Sequence, residues 1–107
     1  MLDRGKTEPG GPIRGGAVAS PLQMEFVRSV QGIPGIEQVL VREDSDSIRI
    51  WTMIPDVDLD TEDAIYEAQA EFLRRLPDVR VDFSVIYRQG RESRELTPRG
   101  ARSIYPA

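Results

Sequence analysis

Residues 60–88, DTEDAIYEAQAEFLRRLPDVRVDFSVIYR, are the most informative about the fold class because their hydrophobic period changes partway along. The first half of this stretch repeats apolar residues every three to four positions, as in an amphipathic helix, and Pro77 ends that pattern. From Val79 onward apolar and polar residues alternate, which is typical of a strand. We therefore expect a helix that begins at Asp60 and ends before Pro77, followed by a strand that ends at Tyr87. The predicted buried stripe of the helix comprises Ile65, Ala68, Phe72 and Leu76, widened by Ala64 and Leu73.

Upstream of this stretch the sequence predicts another helix and a hairpin. Ser20-Pro21-Leu22-Gln23 has the residues of a capping box with proline at the first helical position, and Gly32 ends the helix. Two apolar segments, 39–42 and 48–54, flank the polar tract 43–47 and read as two hairpin strands. The order helix, strand, strand, helix, strand predicts an α+β fold, with both helices on one face of an antiparallel sheet.

The turn Ile33-Pro34-Gly35-Ile36 lies between the first helix and the hairpin. Together with the order of elements, it resembles the cytoplasmic domain of cation diffusion facilitator transporters, and the heavy-metal-associated domains are similar over the same stretch. The resemblance implies a ferredoxin-like αββαβ sandwich that lacks its first strand. The metal-binding His and the Cys-x-x-Cys of those families have no counterpart here, so the fold carries over and the metal chemistry does not. Segments 62–66 and 85–91 also resemble small uncharacterised bacterial proteins, which would bring no known activity.

The predicted domain organisation divides the 107 residues into three parts. Residues 1–19 contain five glycines and two prolines with little apolar surface, which predicts a flexible N-terminal arm. Residues 20–90 form the ferredoxin-like domain, and residues 91–107 form an Arg-rich extended tail. The absence of Cys fits a reducing cytoplasm, and no apolar run is long enough for a secretory signal or a membrane span.

The composition argues against catalysis and against nucleic-acid binding. There is no His and no Cys, so the usual base and the two commonest catalytic triads are missing. We expect no enzymatic activity and no cofactor. The formal net charge is −4, whereas a nucleic-acid-binding domain is usually basic.

An acidic loop offers one candidate metal site. Carboxylates fall at positions 1, 3, 5 and 12 of an EF-hand-like spacing, contributed by Asp56, Asp58, Asp60 and Glu67. Thr61 stands where that loop needs glycine, and a strand precedes it where a helix would be expected. The simpler interpretation is that Asp60 caps the second helix and the other acids favour its dipole. The metal site supports only the alternative function, a small-ligand or divalent-metal-sensing regulatory domain.

The contact surface is predicted on the sheet face opposite the helices. Trp51, Met53 and Ile86 place large apolar side chains there, which favours contact with a second copy, sheet to sheet or edge to edge. Coverage by the chain's own tail is the alternative. The expected function is a non-enzymatic oligomerisation or protein-interaction module, with a homodimer as the main expectation and another protein as the alternative partner.

The tail is predicted to act as an electrostatic clasp. Residues 41–71 hold two Arg against ten acids, and residues 80–107 hold six Arg against three acids. The clasp arginines are Arg88, Arg91, Arg94, Arg99 and Arg102. They are expected to dock on the acids of residues 43–71, in the same chain or in a second subunit, with Leu96, Ile104 and Tyr105 as apolar anchors.

Overall fold

The computed structural model of the chain describes residues 20–106, and the predicted N-terminal arm lies outside them. The helices are α1 (Pro21–Val30), α2 (Leu59–Arg75) and the short α3 (Ser93–Leu96). The strands are β1 (Gln38–Glu43), β2 (Ile48–Ile54), β3 (Val81–Tyr87) and β4 (Arg102–Tyr105).

The four strands form one mixed sheet in the order β3-β2-β1-β4. β1 pairs antiparallel with β2 and with β4, but β2 and β3 are parallel, with Trp51 opposite Ser84. The α+β class is confirmed, whereas the prediction of an antiparallel sheet is wrong at this pair. The physical reason is the connection: α2 carries the chain back to the end where β2 began, so the next strand must run in the same direction as β2.

Local side-chain hydrogen bonds fix where both long helices begin. At α1 the Ser20 hydroxyl accepts a hydrogen bond from the Gln23 amide, and the Gln23 side chain accepts one from the Ser20 amide, which is the predicted capping box. α2 begins one residue before the predicted position because Asp58, not Asp60, is its cap: Asp58 Oδ1 accepts from the Thr61 amide at 3.2 Å. Gly35 has φ +96°, and a Cβ there would lie 3.4 Å from Thr61 Oγ1, so glycine suits this turn.

The main core lies between the two long helices and one face of the sheet. Phe26 of α1, Phe72 of α2 and Phe83 of β3 pack together with ring centroids 5.2 to 6.0 Å apart. Val39, Val41, Ile50 and Ile104 complete the buried cluster on the strand side. Burying each such side chain stabilises the fold by about 1.5–3 kcal/mol, so this cluster accounts for most of the hydrophobic stabilisation.

The segment from Arg88 to Ala101 crosses from one edge of the sheet to the other. It leaves β3 at one edge and enters β4 at the opposite edge, and on the way it passes over the face that the helices do not cover. β4 then adds to the sheet and buries Ile104 in the main core. Part of the segment predicted as an extended tail is therefore an edge strand of the sheet.

Candidate interaction surface

The face expected to be the contact surface is partly covered within the chain. Met53 is 0% exposed and Leu40, on the same face, is 1% exposed, while Trp51 and Ile86 are half-buried. Because Met53 has no accessible surface, its placement on an open contact face is corrected. The alternative interpretation, coverage by the tail, describes this face better.

Two contacts show how the crossing segment is fixed over this face. Arg42 Nη1 donates to the Arg99 carbonyl at 3.1 Å, and the Arg42 guanidinium lies over the Trp51 ring, 5.9 Å from its centroid. Gly100 has φ +80°, and a Cβ there would lie 3.1 Å from Arg42 Cδ. Glycine is therefore needed where the segment passes Arg42.

A cleft of about 660 Å³ remains between the crossing segment and the sheet. Gln38, Arg91, Arg94 and Pro106 are among the residues that line it. The buried Oε1 atom of Gln38 has no hydrogen-bond partner among residues 20–106. Arg94 is already paired with Glu92 at 2.7 Å, so the charge available in this cleft for an anionic ligand is small.

Among residues 20–106 of one chain, no ion pair joins the clasp arginines to the acids of residues 43–71. Docking of these arginines on a second subunit stays a prediction. Within the chain, Arg88 makes a two-pronged ion pair with Glu37, with Nε to Oε1 at 2.7 Å and Nη2 to Oε2 at 3.1 Å. The hydrogen bonds from Arg88 hold the pKa of Glu37 below its usual value. Arg102 donates to Gln23 Oε1 at 3.4 Å. Arg91 and Arg99 accept hydrogen bonds through their main-chain carbonyls, from Arg88 and Arg42.

The acidic loop does not assemble the predicted metal site. Asp58 is committed to capping α2, while Asp56, Asp60 and Glu67 are exposed. No group of three or more metal-ligating side chains comes together anywhere within residues 20–106. Sequence spacing alone suggested the site, and the geometry gives helix capping instead.

Glu62 is the carboxylate of this region that is buried, and its oxygens have partners. Oε2 accepts from the Asp58 amide at 3.1 Å, and Oε1 accepts from the Tyr87 hydroxyl at 2.6 Å. This hydrogen bond raises the pKa of Tyr87 to about 12. Glu62 therefore ties the first turn of α2 to the end of β3.

The largest exposed apolar side chains on α2 form a stripe. Leu59 is 74% exposed, Tyr66 50% and Leu73 39%, and they recur every seven residues. At about 100° per residue they fall on one side of the helix, roughly opposite Ala64, which lines a groove beside α1. Since α1 lies toward the β4 side of the sheet, the stripe points beyond the β3 edge. We call Leu59, Tyr66 and Leu73 the α2 stripe.

The edge of the sheet beside this stripe is unpaired in the part of the chain that the structure describes. The Arg80 carbonyl and the Arg88 amide both bond inward to β2, to Ile48 and Ile54. Because the direction of the backbone groups alternates along a strand, even-numbered residues face β2 and odd-numbered residues face the open edge. The N–H and C=O groups that point outward belong to Val81, Phe83, Val85 and Tyr87. The side chains of these residues are only half-buried.

The α2 stripe and the β3 edge together make the edge surface of the protein. The sequence predicts edge-to-edge contact as one mode without identifying these residues. The prediction that Leu73 belongs to the buried stripe is wrong, since Leu73 is 39% exposed. The seven-residue recurrence of Leu59, Tyr66 and Leu73 was the signal that could have identified them.

Comparison with known proteins gives a likeness of fold. No family model and no curated protein matches the chain. Among solved structures, two zinc forms of the C-terminal domain of MamM are similar, at 19% and 20% identity and a TM-score of 0.39 each. Each covers 64% of this chain, and the match spans 85% and 84% of the MamM chains. The likeness is one of fold alone.

Within residues 20–106, no helix has both the length and the apolar character that crossing a membrane requires.

Proposed function

We propose that this chain is a non-enzymatic interaction module that forms a homodimer through the edge surface. The observation that carries the proposal is the seven-residue β3 edge, which presents four outward-facing residues beside three exposed apolar side chains of α2. Such an edge is a template for pairing with another strand, and proteins that stay monomeric usually protect it.

A second copy would satisfy both parts of the surface at once. Strand addition would pair the outward N–H and C=O groups of β3. It would also bring the two α2 helices together over the joined sheet, because the α2 stripe points past that edge. Leu59 and Tyr66 would then leave water, and each large apolar side chain that is fully covered contributes about 1.5–3 kcal/mol.

The opposite face of the sheet is less suited to such a contact. Its central apolar residues, Leu40 and Met53, are already buried within the chain. Trp51 is partly covered by Arg42, so little of its apolar surface remains for a partner. The edge surface, by contrast, combines exposed Leu59, Tyr66 and Leu73 with unpaired backbone of β3.

Light scattering on the full chain tests the proposal. The expected mass is twice 12.0 kDa at micromolar concentration. Tyr66→Glu places a charge in the α2 stripe and should give a monomer without loss of helix signal in circular dichroism. Arg74→Gln is the matched control, because it changes the net charge by the same amount on the same helix but lies away from the stripe. A monomeric wild-type chain, or equal effects of the two variants, would contradict the proposal.

A further inference from the structure

The geometry points to an antiparallel pairing of the two β3 strands about Val85, which sets Asp82 of each copy opposite the partner's Arg88. This inference rests on the proposed homodimer and adds its register and its charge contacts.

The backbone limits the registers that are available. Only odd-numbered residues present N–H and C=O groups to the open edge, so odd-numbered residues must face odd-numbered residues across a symmetric pair. Three positions of the two-fold axis satisfy this while pairing most of β3: at Phe83, at Ser84 or at Val85. Moving the axis by one residue shifts the partner strand by two residues. Each position of the axis therefore sets different side chains opposite each other.

The charges distinguish these three positions. An axis at Ser84 would set Arg80 opposite the partner's Arg88 at both ends, and like charges directly opposite destabilise a strand pair. An axis at Phe83 would set Asp82 opposite Ser84 of the partner subunit, which pairs no charges. An axis at Val85 sets Asp82 opposite the partner's Arg88 twice.

The remaining pairs of the Val85 register are also favourable. Phe83 would lie opposite Tyr87 of the partner subunit on the helix side of the sheet, and aromatic cross-strand pairs stabilise antiparallel strands. Val85 would lie opposite its own symmetry mate. These side chains are half-buried in one copy, so the second copy would complete their cover.

Asp82 and Arg88 are both able to make the new contact. The Asp82 carboxylate is mostly exposed, and its one ion pair among residues 20–106 is with Arg49 at 3.9 Å. Arg88 donates three hydrogen bonds, two to Glu37 and one to the Arg91 carbonyl. A guanidinium has five N–H donors, so two remain beyond these three bonds. Glu37 directly precedes β1, on the far side of β2 from the open edge, so the Arg88 side chain must turn from Glu37 to reach the partner's Asp82.

Disulfide trapping measures the register directly, because the chain contains no Cys of its own. In the Val85 register Ser84 faces Ile86 of the partner subunit in a non-hydrogen-bonded pair, with about 4.5 Å between Cα atoms, which suits a disulfide. Ser84→Cys and Ile86→Cys proteins are mixed, oxidised mildly, and weighed intact by mass spectrometry. The mixed disulfide dimer is the expected main product.

Each of the other possible disulfide products would identify a different position of the two-fold axis. A Ser84→Cys disulfide with itself, in preference to the mixed dimer, would place the axis at Ser84 and overturn the inference. A Ser84→Cys disulfide with Asp82→Cys would place it at Phe83 and do the same. The absence of any 84–86 disulfide in a chain that light scattering shows to be dimeric would also overturn it. A monomeric chain would instead contradict the proposed function, so the two failures are distinguishable.

A charge exchange gives an independent test. Asp82→Arg and Arg88→Asp each bring two like-charge pairs into the homodimer, so each alone should dimerise about tenfold more weakly. Mixing the two variants restores opposite charges at both ends, and a heterodimer should form at the wild-type affinity. Failure of the mixture to recover would overturn the Asp82–Arg88 contact.

Discussion

The β4 edge of the sheet is four residues long and its pairing with β1 is irregular, whereas the β3 edge runs for seven residues in one continuous register. The register of β4 shifts between Val39 and Leu40, and Pro106 follows the strand directly. Short strands, bulges and proline are features that protect an edge from further pairing. β3 has none of them, and exposed apolar side chains of α2 lie beside it.

The two edge strands therefore have different roles although both close the same sheet. β4 stabilises the fold through Ile104, which is buried in the main core. Its outer side is protected from further pairing by its short length, its register shift and Pro106. β3 stabilises the fold through Phe83, which packs against the main core. The N–H and C=O groups on its outer side form a continuous unpaired row. The fold is completed at one edge and left extendable at the other.

The largest change is expected from a substitution in β4 that tests whether this strand stabilises the core. Ile104→Ala removes a side chain that is 3% exposed, so unfolding should become easier by about 3 kcal/mol, through lost burial and the cavity left behind. Urea denaturation measures the change. Ser103→Ala in the same strand is the control and should cost far less. A loss below about 1 kcal/mol for Ile104→Ala would mean that β4 is not part of the cooperative core.

The next largest change is expected from a substitution that tests whether the open edge of β3 pairs with a second copy. Val85→Pro removes an N–H that points away from the sheet, so the monomer loses no internal hydrogen bond, while the dimer loses two symmetric ones. At about 1–1.5 kcal/mol each, dimerisation should weaken about 100-fold. Sedimentation measures the affinity, and Val85→Thr, which keeps the N–H and the β-branched shape, is the control. Equal affinity for both variants would contradict pairing through this edge.

Much of the fold could be predicted from the sequence because its signals are local. The capping box at Ser20, the hairpin around residues 43–47 and the alternation after Val79 each depend on neighbouring residues, and all three appear in the structure. The parallel pairing of β2 and β3 could not be found in the same way. It depends on which strands lie next to each other in the sheet, and patterns of neighbouring residues do not specify that.

The surface was harder to predict because burial depends on segments that are distant in sequence. Met53 alternates as an outward-facing residue would, yet the crossing segment some 40 residues later covers it. By its spacing, Leu73 fits the predicted buried stripe of the second helix. In the structure it belongs to the exposed side of α2 instead and is 39% exposed. Periodicity predicts the direction in which a side chain points, but not which other segment of the chain covers it.

A smaller effect is expected at the start of α2, which positions the α2 stripe beside the β3 edge. Asp58→Ala removes the side chain that accepts from the Thr61 amide, and loss of such a cap costs about 1 kcal/mol. Asp60→Ala is the matched control, since Asp60 has no capping role, and it should cost only a few tenths. Thermal or urea denaturation separates them. A larger loss for Asp60→Ala would restore the cap assignment that the sequence suggested.

The smallest effect is a change in stability at alkaline pH that arises where β3 ends against α2. Tyr87 donates to Glu62, and its pKa is raised from 10.0 to about 12. A group with a raised pKa in the folded state stabilises the fold fully below its unfolded pKa, and this contribution is lost as pH rises through the folded pKa. Stability should therefore fall between about pH 10 and pH 12 by more in the wild type than in Tyr87→Phe, which cannot ionise there. Urea denaturation at intervals across that range measures the difference, and tyrosinate absorbance follows the ionisation itself. Parallel stability curves for the two proteins would show that the Tyr87–Glu62 hydrogen bond does not fasten the end of the β3 edge to α2.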